Sequence, residues 1–424
     1  MNAQQILEYI KQHCTADDWT ITINEKDSHE TRFAQNSITQ HIAGSNIEVA
    51  LQVSFGDKTG VGNINQTDAE SIKNLIETAE TMAKLNQPDP EFMPSCPAAD
   101  LPQVLNRSEA TLQLAPQEMV ELVRQSIANG EKHPAQVSGM TEKHRYYSIL
   151  CTSNGFYGEC ESTEFGHSMT MKKDAVETKV AYSGKDYARF DLNQWLDQLN
   201  SQFNSLSAPH VFEPERIAVI LRPAAVQEFI GYMGWMMSRR YADEGITPYT
   251  DKLGTDFFGS NFSMVSTLKD DELYASPYFH GGIPSVEFDW VKRGSLFTLP
   301  TDRFWAKKTG SSPSTSYNLF IPGDGVSEEE MMKKAGRGII INNFWYIRTV
   351  DMKSGEFTGM TRDGVLYFED GIIRHAINNL RWNEIPHEAT RRILASGVPI
   401  LTSPDTKVPA MLIADFNFVD KTDF

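Results

Sequence analysis

Cysteine is scarce in this sequence: there are four among 424 residues, Cys14, Cys96, Cys151 and Cys160, and no two form a C-x-x-C pair. Four are too few for the disulfide scaffold of a chain this long, so we expect reduced thiols. Cys151 ends an apolar strand pattern, where a buried structural thiol is commoner than a reactive one. The first 19 residues lack the apolar segment of a secretory signal, and we therefore expect a cytoplasmic location.

Positive charge and long apolar runs are also lacking. Lys and Arg number 39 against 56 Asp and Glu, which gives a net charge of −17. Such a surface repels phosphate groups, and the lack of a Lys/Arg-rich run further argues against nucleic acid binding. No apolar run reaches 18 residues, so we expect neither a transmembrane helix nor membrane association.

The ten histidines are widely separated, since no two lie closer than eleven residues. The H-x-H, H-x-x-x-H and H-E-x-x-H motifs of metal sites are therefore absent. H-E dipeptides occur at residues 29–30 and 387–388, and neither has a second histidine at ligand spacing. Scattered surface histidines are the simpler interpretation, and a metal site assembled from distant residues is the alternative. Serine-hydrolase and phosphate-loop motifs are missing too.

The length exceeds what one hydrophobic core holds and predicts two domains, residues 1–205 and 213–424, in an α+β fold. In the C-terminal domain, short strand-like runs between Gly and Pro predict a large, curved, mostly antiparallel sheet. A helix is predicted at about 223–240, beginning at Pro223. Its apolar face is broad, so we expect this helix to be buried.

The N-terminal domain is predicted to place helices on a mixed sheet. Strand-like runs occupy residues 19–24, 37–42 and 47–55. Thr67 or Asp68 is the expected cap of the helix that follows. Asn154-Gly155 lies between two further strand-like runs, and Asn-Gly is the strongest short hairpin signal. We therefore expect a tight turn in which Gly155 has a positive φ.

Several stretches carry a resemblance to a known family. They are residues 32–62, 79–83 and 88–90, T-S-N-G-F-Y-G at 152–158, and, within residues 338–383, F-W-Y-I-R at 344–348, T-G-M-T-R-D-G at 358–364 and E-D-G at 369–371. In order and spacing they resemble the TldD/PmbA family of zinc metalloproteases, once labelled modulators of DNA gyrase. The resemblance extends along nearly the whole chain and implies a role in proteolysis.

The family has two kinds of subunit. TldD-type subunits carry H-E-x-x-x-H on a helix and a later Cys, which together form a zinc site, whereas PmbA (TldE)-type subunits lack these ligands. Here the best register puts Gln227 and Tyr232 in place of the two histidines and keeps Glu228, and no cysteine follows Cys160. The chain therefore resembles a TldE-type subunit.

The degenerate motif implies that this chain holds no zinc of its own, and that zinc belongs to a TldD-type partner. A zinc site needs about three protein ligands, and an amide or a phenol is a poor one at neutral pH. Glu228 is accordingly interpreted as a relic, a capping carboxylate or a solvated helix residue, and no catalytic residue is assigned.

The resemblance implies a non-catalytic subunit that forms a heterodimer with a TldD-type peptidase. The two chains would enclose a cleft for unfolded peptides, which this subunit would complete and in which it could hold substrate as an added β-strand. Two alternatives stay open. One is a self-contained homodimeric metallopeptidase with an unrecognised metal site, and the other is a non-enzymatic peptide-binding homodimer.

Two further groups of residues are candidates for peptide contact. Phe344, Trp345 and Tyr346 are predicted to lie in a buried strand. Arg348 and Arg362 are expected in ion pairs, although at a cleft either guanidinium could bind a peptide carboxylate through two hydrogen bonds.

Overall fold

The computed structural model describes residues 1–174, 176–206 and 208–422. Residues 423–424, at the end of the predicted C-terminal domain, lie outside the described residues, and the boundary predicted between residues 205 and 213 stays a prediction. The α-helices are α1 Ala3–His13, α2 Ala69–Leu85, α3 Glu109–Gln113, α4 Pro116–Lys132, α5 Leu192–Ser205, α6 Pro223–Met236, α7 Arg239–Asp243, α8 Arg303–Thr309, α9 Glu328–Ala335 and α10 Pro386–Thr390.

The strands of the N-terminal half are β1 Asp18–Ala34, β2 Ser37–Phe55, β3 Lys58–Ile64, β4 Gln136–Thr152, β5 Tyr157–Lys173 and β6 Val176–Gly184. Those of the C-terminal half are β7 Arg216–Leu221, β8 Met264–Ser266, β9 Tyr278–Phe279, β10 Ile283–Pro284, β11 Phe288–Lys292, β12 Ser295–Leu296, β13 Leu319–Phe320, β14 Arg337–Asp351, β15 Glu356–Glu369, β16 Ile372–Ile377, β17 Leu380–Glu384, β18 Ile393–Ser396, β19 Ile400–Ser403, β20 Thr406–Val408 and β21 Met411–Lys421.

The N-terminal sheet has six strands in the order β3-β2-β1-β4-β5-β6. Every neighbouring pair is antiparallel, so the mixed sheet predicted from the sequence is wrong. For four of the five pairs the reason is the connection: loops of a few residues join β1 to β2, β2 to β3, β4 to β5 and β5 to β6, and loops this short join only antiparallel strands. The α+β class itself is confirmed.

The two faces of this sheet differ because side chains alternate along each strand. Ile21 and Ile23 of β1 belong to a core formed with α1 and α2, and Phe33 belongs to a core formed with α4 and α5. We call the opposite side the second face. Through the strand registers it carries Glu30 of β1, Glu142 and His144 of β4, Thr170 of β5 and Lys179 of β6.

The strands of the C-terminal half include a closed ring. β14, β7, β21, β17 and β15 follow one another in hydrogen-bonded order, and β15 pairs back with β14. The β7–β14 pair is parallel and the other pairs are antiparallel. The predicted large, curved, mostly antiparallel sheet is thus confirmed. A second, six-stranded sheet has the order β12-β11-β8-β13-β20-β19.

Helix α6 begins at Pro223 as predicted but ends at Met236, short of the expected end near residue 240. The cause is Ser238, whose side chain accepts a hydrogen bond from the N–H of Tyr241 and so caps the separate helix α7. The predicted burial of α6 is confirmed, because Phe229 and Met233 lie in the main C-terminal core.

Local predictions near the hairpins are confirmed. Gly155 connects β4 to β5 with a φ of +95°, Asp68 caps α2, and the Cys151 thiol is buried. β1 extends well beyond the predicted run 19–24, and the two predicted runs 37–42 and 47–55 are one strand, β2. The polar residues in these stretches leave no apolar alternation to mark them. Within the described residues, none of the helices has the length and apolarity that crossing a bilayer requires.

Candidate functional site

The degenerate motif lies on the face of α6 that is turned away from the core. Gln227, Glu228, Gly231, Tyr232 and Trp235 recur at helical spacing along this face. They form one wall of a groove of about 730 Å³, which we call the Glu228 groove. Its other lining residues come from the start of α6, from β13 and β14, and from the turn after β19 and the first residue of β20: Ala224, Leu319, Ile347, Arg348, Thr349, Asp405 and Thr406.

From the sequence, Glu228 is interpreted as a relic, a capping carboxylate or a solvated helix residue. The structure shows that it is neither a helix cap nor solvated. Its Oε2 accepts a hydrogen bond of 2.6 Å from the backbone N–H of Phe344 on β14. Burial raises the pKa of the Glu228 carboxyl to about 7, and the negative charge of Asp363 adds to this rise. The Phe344 N–H and Lys179 act in the opposite direction and favour the charged form.

The side chains of Gln227 and Tyr232 contact other residues of the protein and do not converge on a common ion-binding position. The Gln227 side-chain N–H donates to Ser403 Oγ at 3.1 Å, and Ser403 in turn donates to Asp405. The Tyr232 ring packs edge-to-face on Phe357, with the centroids 5.8 Å apart. An amide, a phenol and one carboxylate already bonded to a backbone N–H do not fit the zinc site of TldD-type subunits.

The aromatic run on β14 is only partly buried, so the prediction of a buried strand is wrong for two of its three residues. Phe344 is buried, but Trp345 is 42% and Tyr346 51% exposed. The pairing of β14 with β15 shifts register after Trp345, and Tyr346 has a φ of +55°. This bulge interrupts the strand alternation and turns the two rings outward.

Of the two arginines, only Arg362 forms the expected ion pair among the described residues. Arg348 lines the Glu228 groove, with its guanidinium 4.2 Å from the centroid of the Tyr346 ring. Arg362 has the expected ion pair, with Asp363 at 3.6 Å, and also lies 4.6 Å from the centroid of the Trp345 ring. Each exposed ring thus carries a cation on its face, which is favourable because the ring face is electron-rich.

A second cavity lies on the other side of Glu228, and the sequence did not predict it. Its lining combines Thr170 and Lys179 from the second face of the N-terminal sheet with Glu228, Asn343 and Asp363, among others. The side-chain N–H of Asn343 donates to Asp363 Oδ2 at 3.0 Å, and burial raises the pKa of Asp363. These residues come from three distant segments, so no local motif marks them. Trp235, by contrast, could have been found from its helical spacing to Gly231 and Tyr232.

Comparisons with known proteins concern both halves of the chain. Residues 214–420 match the model of the PmbA/TldA metallopeptidase C-terminal domain, and residues 19–83 match that of PmbA/TldA metallopeptidase domain 1. Among curated proteins, none matches the sequence.

Solved structures resemble the chain over almost its full length. TldE from Thermococcus kodakarensis has a TM-score of 0.87 at 15% identity, covering 98% of this chain and 99% of its own. A candidate modulator of DNA gyrase from Thermotoga maritima gives 0.85 at 16%, with 98% and 99% covered. Another from Bacteroides thetaiotaomicron gives 0.84 at 15%, with 99% and 98% covered. At these identities the likeness supports the fold alone.

Proposed function

Because this chain belongs to the PmbA/TldD family of metallopeptidases, we propose that it is a TldE-type subunit that pairs with a zinc-bearing TldD-type chain. The subunit is non-catalytic on its own, and the pair acts on unfolded peptides in the cytoplasm. Its two tasks are to complete the cleft and to hold the peptide.

The main support for this proposal is the set of contacts made by the three motif residues. Gln227 is bonded to Ser403, Glu228 to the N–H of Phe344, and Tyr232 is packed on Phe357. In a catalytic subunit the corresponding helix would carry zinc ligands. In this chain the motif residues of α6 instead form hydrogen bonds and packing contacts. The groove beside it keeps the size and the mixed apolar and charged lining that a peptide segment needs.

The Glu228 groove supplies the means to hold a peptide. Tyr232 and Trp235 offer exposed aromatic surface, 37% and 62% exposed respectively, which binds apolar side chains of varied sequence. Arg348 lies on the opposite wall, where its guanidinium can donate two hydrogen bonds to a peptide carboxylate. Together these groups favour an unfolded chain over a defined small molecule.

A peptidase assay tests the division of labour. Three samples are compared on an unfolded peptide: this chain alone, a TldD-type chain alone, and the two mixed. We expect chelator-sensitive cleavage from the mixture and none above background from this chain alone. Cleavage by this chain alone, with no contaminating partner by mass spectrometry, would show a self-contained peptidase and overturn the proposal.

A matched pair of variants tests the groove. In the mixture, Trp235→Ala should raise the KM for peptide several-fold with little change in kcat, because it removes binding surface only. Phe297→Ala truncates an aromatic side chain that is 59% exposed outside the groove and should leave KM unchanged. Equal KM values for both variants would contradict peptide binding in the Glu228 groove.

A further inference from the structure

Three potential metal ligands meet on the second face of the N-terminal sheet, although they are far apart in sequence. Glu30 of β1 is directly opposite Glu142 of β4 in the strand register. His144 lies two residues further along β4 and therefore on the same face. The ligand atoms of the three side chains all lie within 4.8 Å of one another.

The two carboxylates stand in a position that is unfavourable without a cation. Like charges directly opposite on neighbouring strands destabilise a sheet. Glu142 contacts His144, with Oε2 and Nε2 3.1 Å apart, whereas Glu30 forms no ion pair or side-chain hydrogen bond with any residue in the described ranges. Both glutamates are half-buried, so water screens their repulsion only in part.

The side chains around Glu30 and Glu142 show that several negative charges lie close together on this face. Glu164 of β5 is paired with His144 in the strand register, and its Oε2 accepts a hydrogen bond of 3.2 Å from the Tyr146 hydroxyl. Lys26 places its Nζ 5.2 Å from the centroid of the Tyr146 ring. Gly166 on β5 leaves room for the Glu142 carboxyl, since a Cβ there would come within 2.9 Å of its Oε1.

His144 is already oriented as a metal ligand is. Its side chain is 5% exposed, and its Nδ1 hydrogen-bonds Ser28 Oγ at 3.0 Å. When a metal binds, Nδ1–H can keep donating to that oxygen while the Nε2 lone pair faces the carboxylates. Metal-binding histidines almost always have such a bond on the other ring nitrogen, because it fixes the tautomer and the ring plane.

We propose that Glu30, Glu142 and His144 bind one divalent transition-metal ion, Zn²⁺ or Mn²⁺. One imidazole nitrogen with two carboxylate oxygens is a mixed donor set that suits these ions. Ligands of one such ion lie about 3.0–3.4 Å apart, so a small rotation of a glutamate side chain completes the set. The ion replaces the contact of 3.1 Å now formed between His144 Nε2 and Glu142 Oε2.

The site is separate from the degenerate motif on α6. It shares the second face with Thr170 and Lys179, which line the cavity on the far side of Glu228. From Gly166, the partner of Glu142 on β5, to Thr170 is four residues, or about 13 Å along a strand. The proposed ion thus stands on the same face as this cavity without using any residue of Gln227–Tyr232.

Titration calorimetry tests the site on the full chain after removal of metals with a chelator, using ZnCl₂ alone or MnCl₂ alone. We expect one ion per chain, with affinity reduced at least about tenfold in Glu30→Gln and in Glu142→Gln. Glu48→Gln is the control, because it removes the same charge from an exposed position on the same sheet. No saturable binding to the wild type at 1 mM metal, or equal affinity in all three variants, overturns the proposal.

Thermal unfolding gives a second, independent readout. Without metal, Glu30→Gln and Glu142→Gln should melt at or above the wild-type temperature, because each removes the like-charge repulsion. With metal, the wild type should gain stability and these variants should not. Metal-free variants that melt lower than the wild type and still gain stability with metal contradict the site. Calorimetry needs no partner chain, so its result is distinct from that of the peptidase assay.

Discussion

The Glu228 carboxyl has a pKa of about 7 in the folded chain against an ordinary 4.5. Between these values the folded chain holds a proton that the unfolded chain has lost. The free energy of unfolding therefore falls as pH rises from about 4.5 to 7, and stays lowered above that range.

Glu228→Gln should remove this penalty while keeping an oxygen for the Phe344 N–H. We expect the variant to exceed the wild type by up to about 3 kcal/mol at pH 8, with the difference vanishing near pH 4.5. Urea unfolding across this range measures it, with Glu48→Gln as the control for loss of one charge. A pH-independent difference would show that Glu228 is solvated after all.

Gly155 is a second residue whose identity matters, because its backbone needs a positive φ. Its φ of +95° is costly for any side chain, most of all a β-branched one. Gly155→Val should lower the free energy of unfolding by about 1–3 kcal/mol. Gly44→Val, where no atom lies within 4 Å of an added Cβ and φ is ordinary, should be nearly neutral. Matching denaturation midpoints for the two variants would contradict the turn.

These two residues also show what sequence can and cannot predict about a site. The turn at Asn154-Gly155 is local, so the dipeptide alone predicts it. The environment of Glu228 depends on Phe344, 116 residues away, and on Asp363 and Lys179. No periodicity in the sequence brings these segments together, so its raised pKa could not be anticipated.

The contact between β3 and α2 depends on the absence of a side chain at Gly60. A Cβ there would overlap the backbone oxygen of Ala79 and lie 2.5 Å from the backbone nitrogen of Ala83. Gly60→Ala should therefore push α2 off the sheet and destabilise the chain by about 1–3 kcal/mol. Urea unfolding checks this, with Gly44→Ala as the control. Equal midpoints would mean that the helix can move without cost.

Elements were predicted best where burial is one-sided and local signals mark the ends. Asp68 and the apolar stripe of α2 are such a case, and so is Pro223 at the start of α6. The break after Met236 was missed because apolar residues continue to Met237, and only the capping role of Ser238 separates α7. The polar middle of β1 was missed because pairing on both edges, with β2 and β4, holds it in the sheet.

The two halves of the molecule are joined by hydrogen bonds as well as by packing. The buried side chain of Asn106 bonds the backbone of Ala275 twice, donating to its oxygen at 2.7 Å and accepting from its N–H at 3.0 Å. Asn106→Ala leaves both buried backbone groups unpaired. We expect a loss of about 2–3 kcal/mol and faster hydrogen exchange at the Ala275 amide.

Asn193→Ala is the control for this prediction, because Asn193 is exposed on α5. Urea unfolding gives the stability, and mass spectrometry of exchanged peptides gives the local opening. Wild-type exchange at Ala275 in the Asn106→Ala variant would show that packing alone holds the halves together.

The closed ring of the C-terminal half has a consequence for biosynthesis. Every strand of the N-terminal sheet has been made by residue 184, so that sheet can form while translation continues. The ring needs β21, residues 411–421, between β7 and β17. About 190 residues must be synthesised after β7 before β21 begins. Until then, the edge of β7 that pairs with β21 stays open to wrong pairing. A nascent chain halted before β21 should accordingly depend on chaperones far more than one released after it.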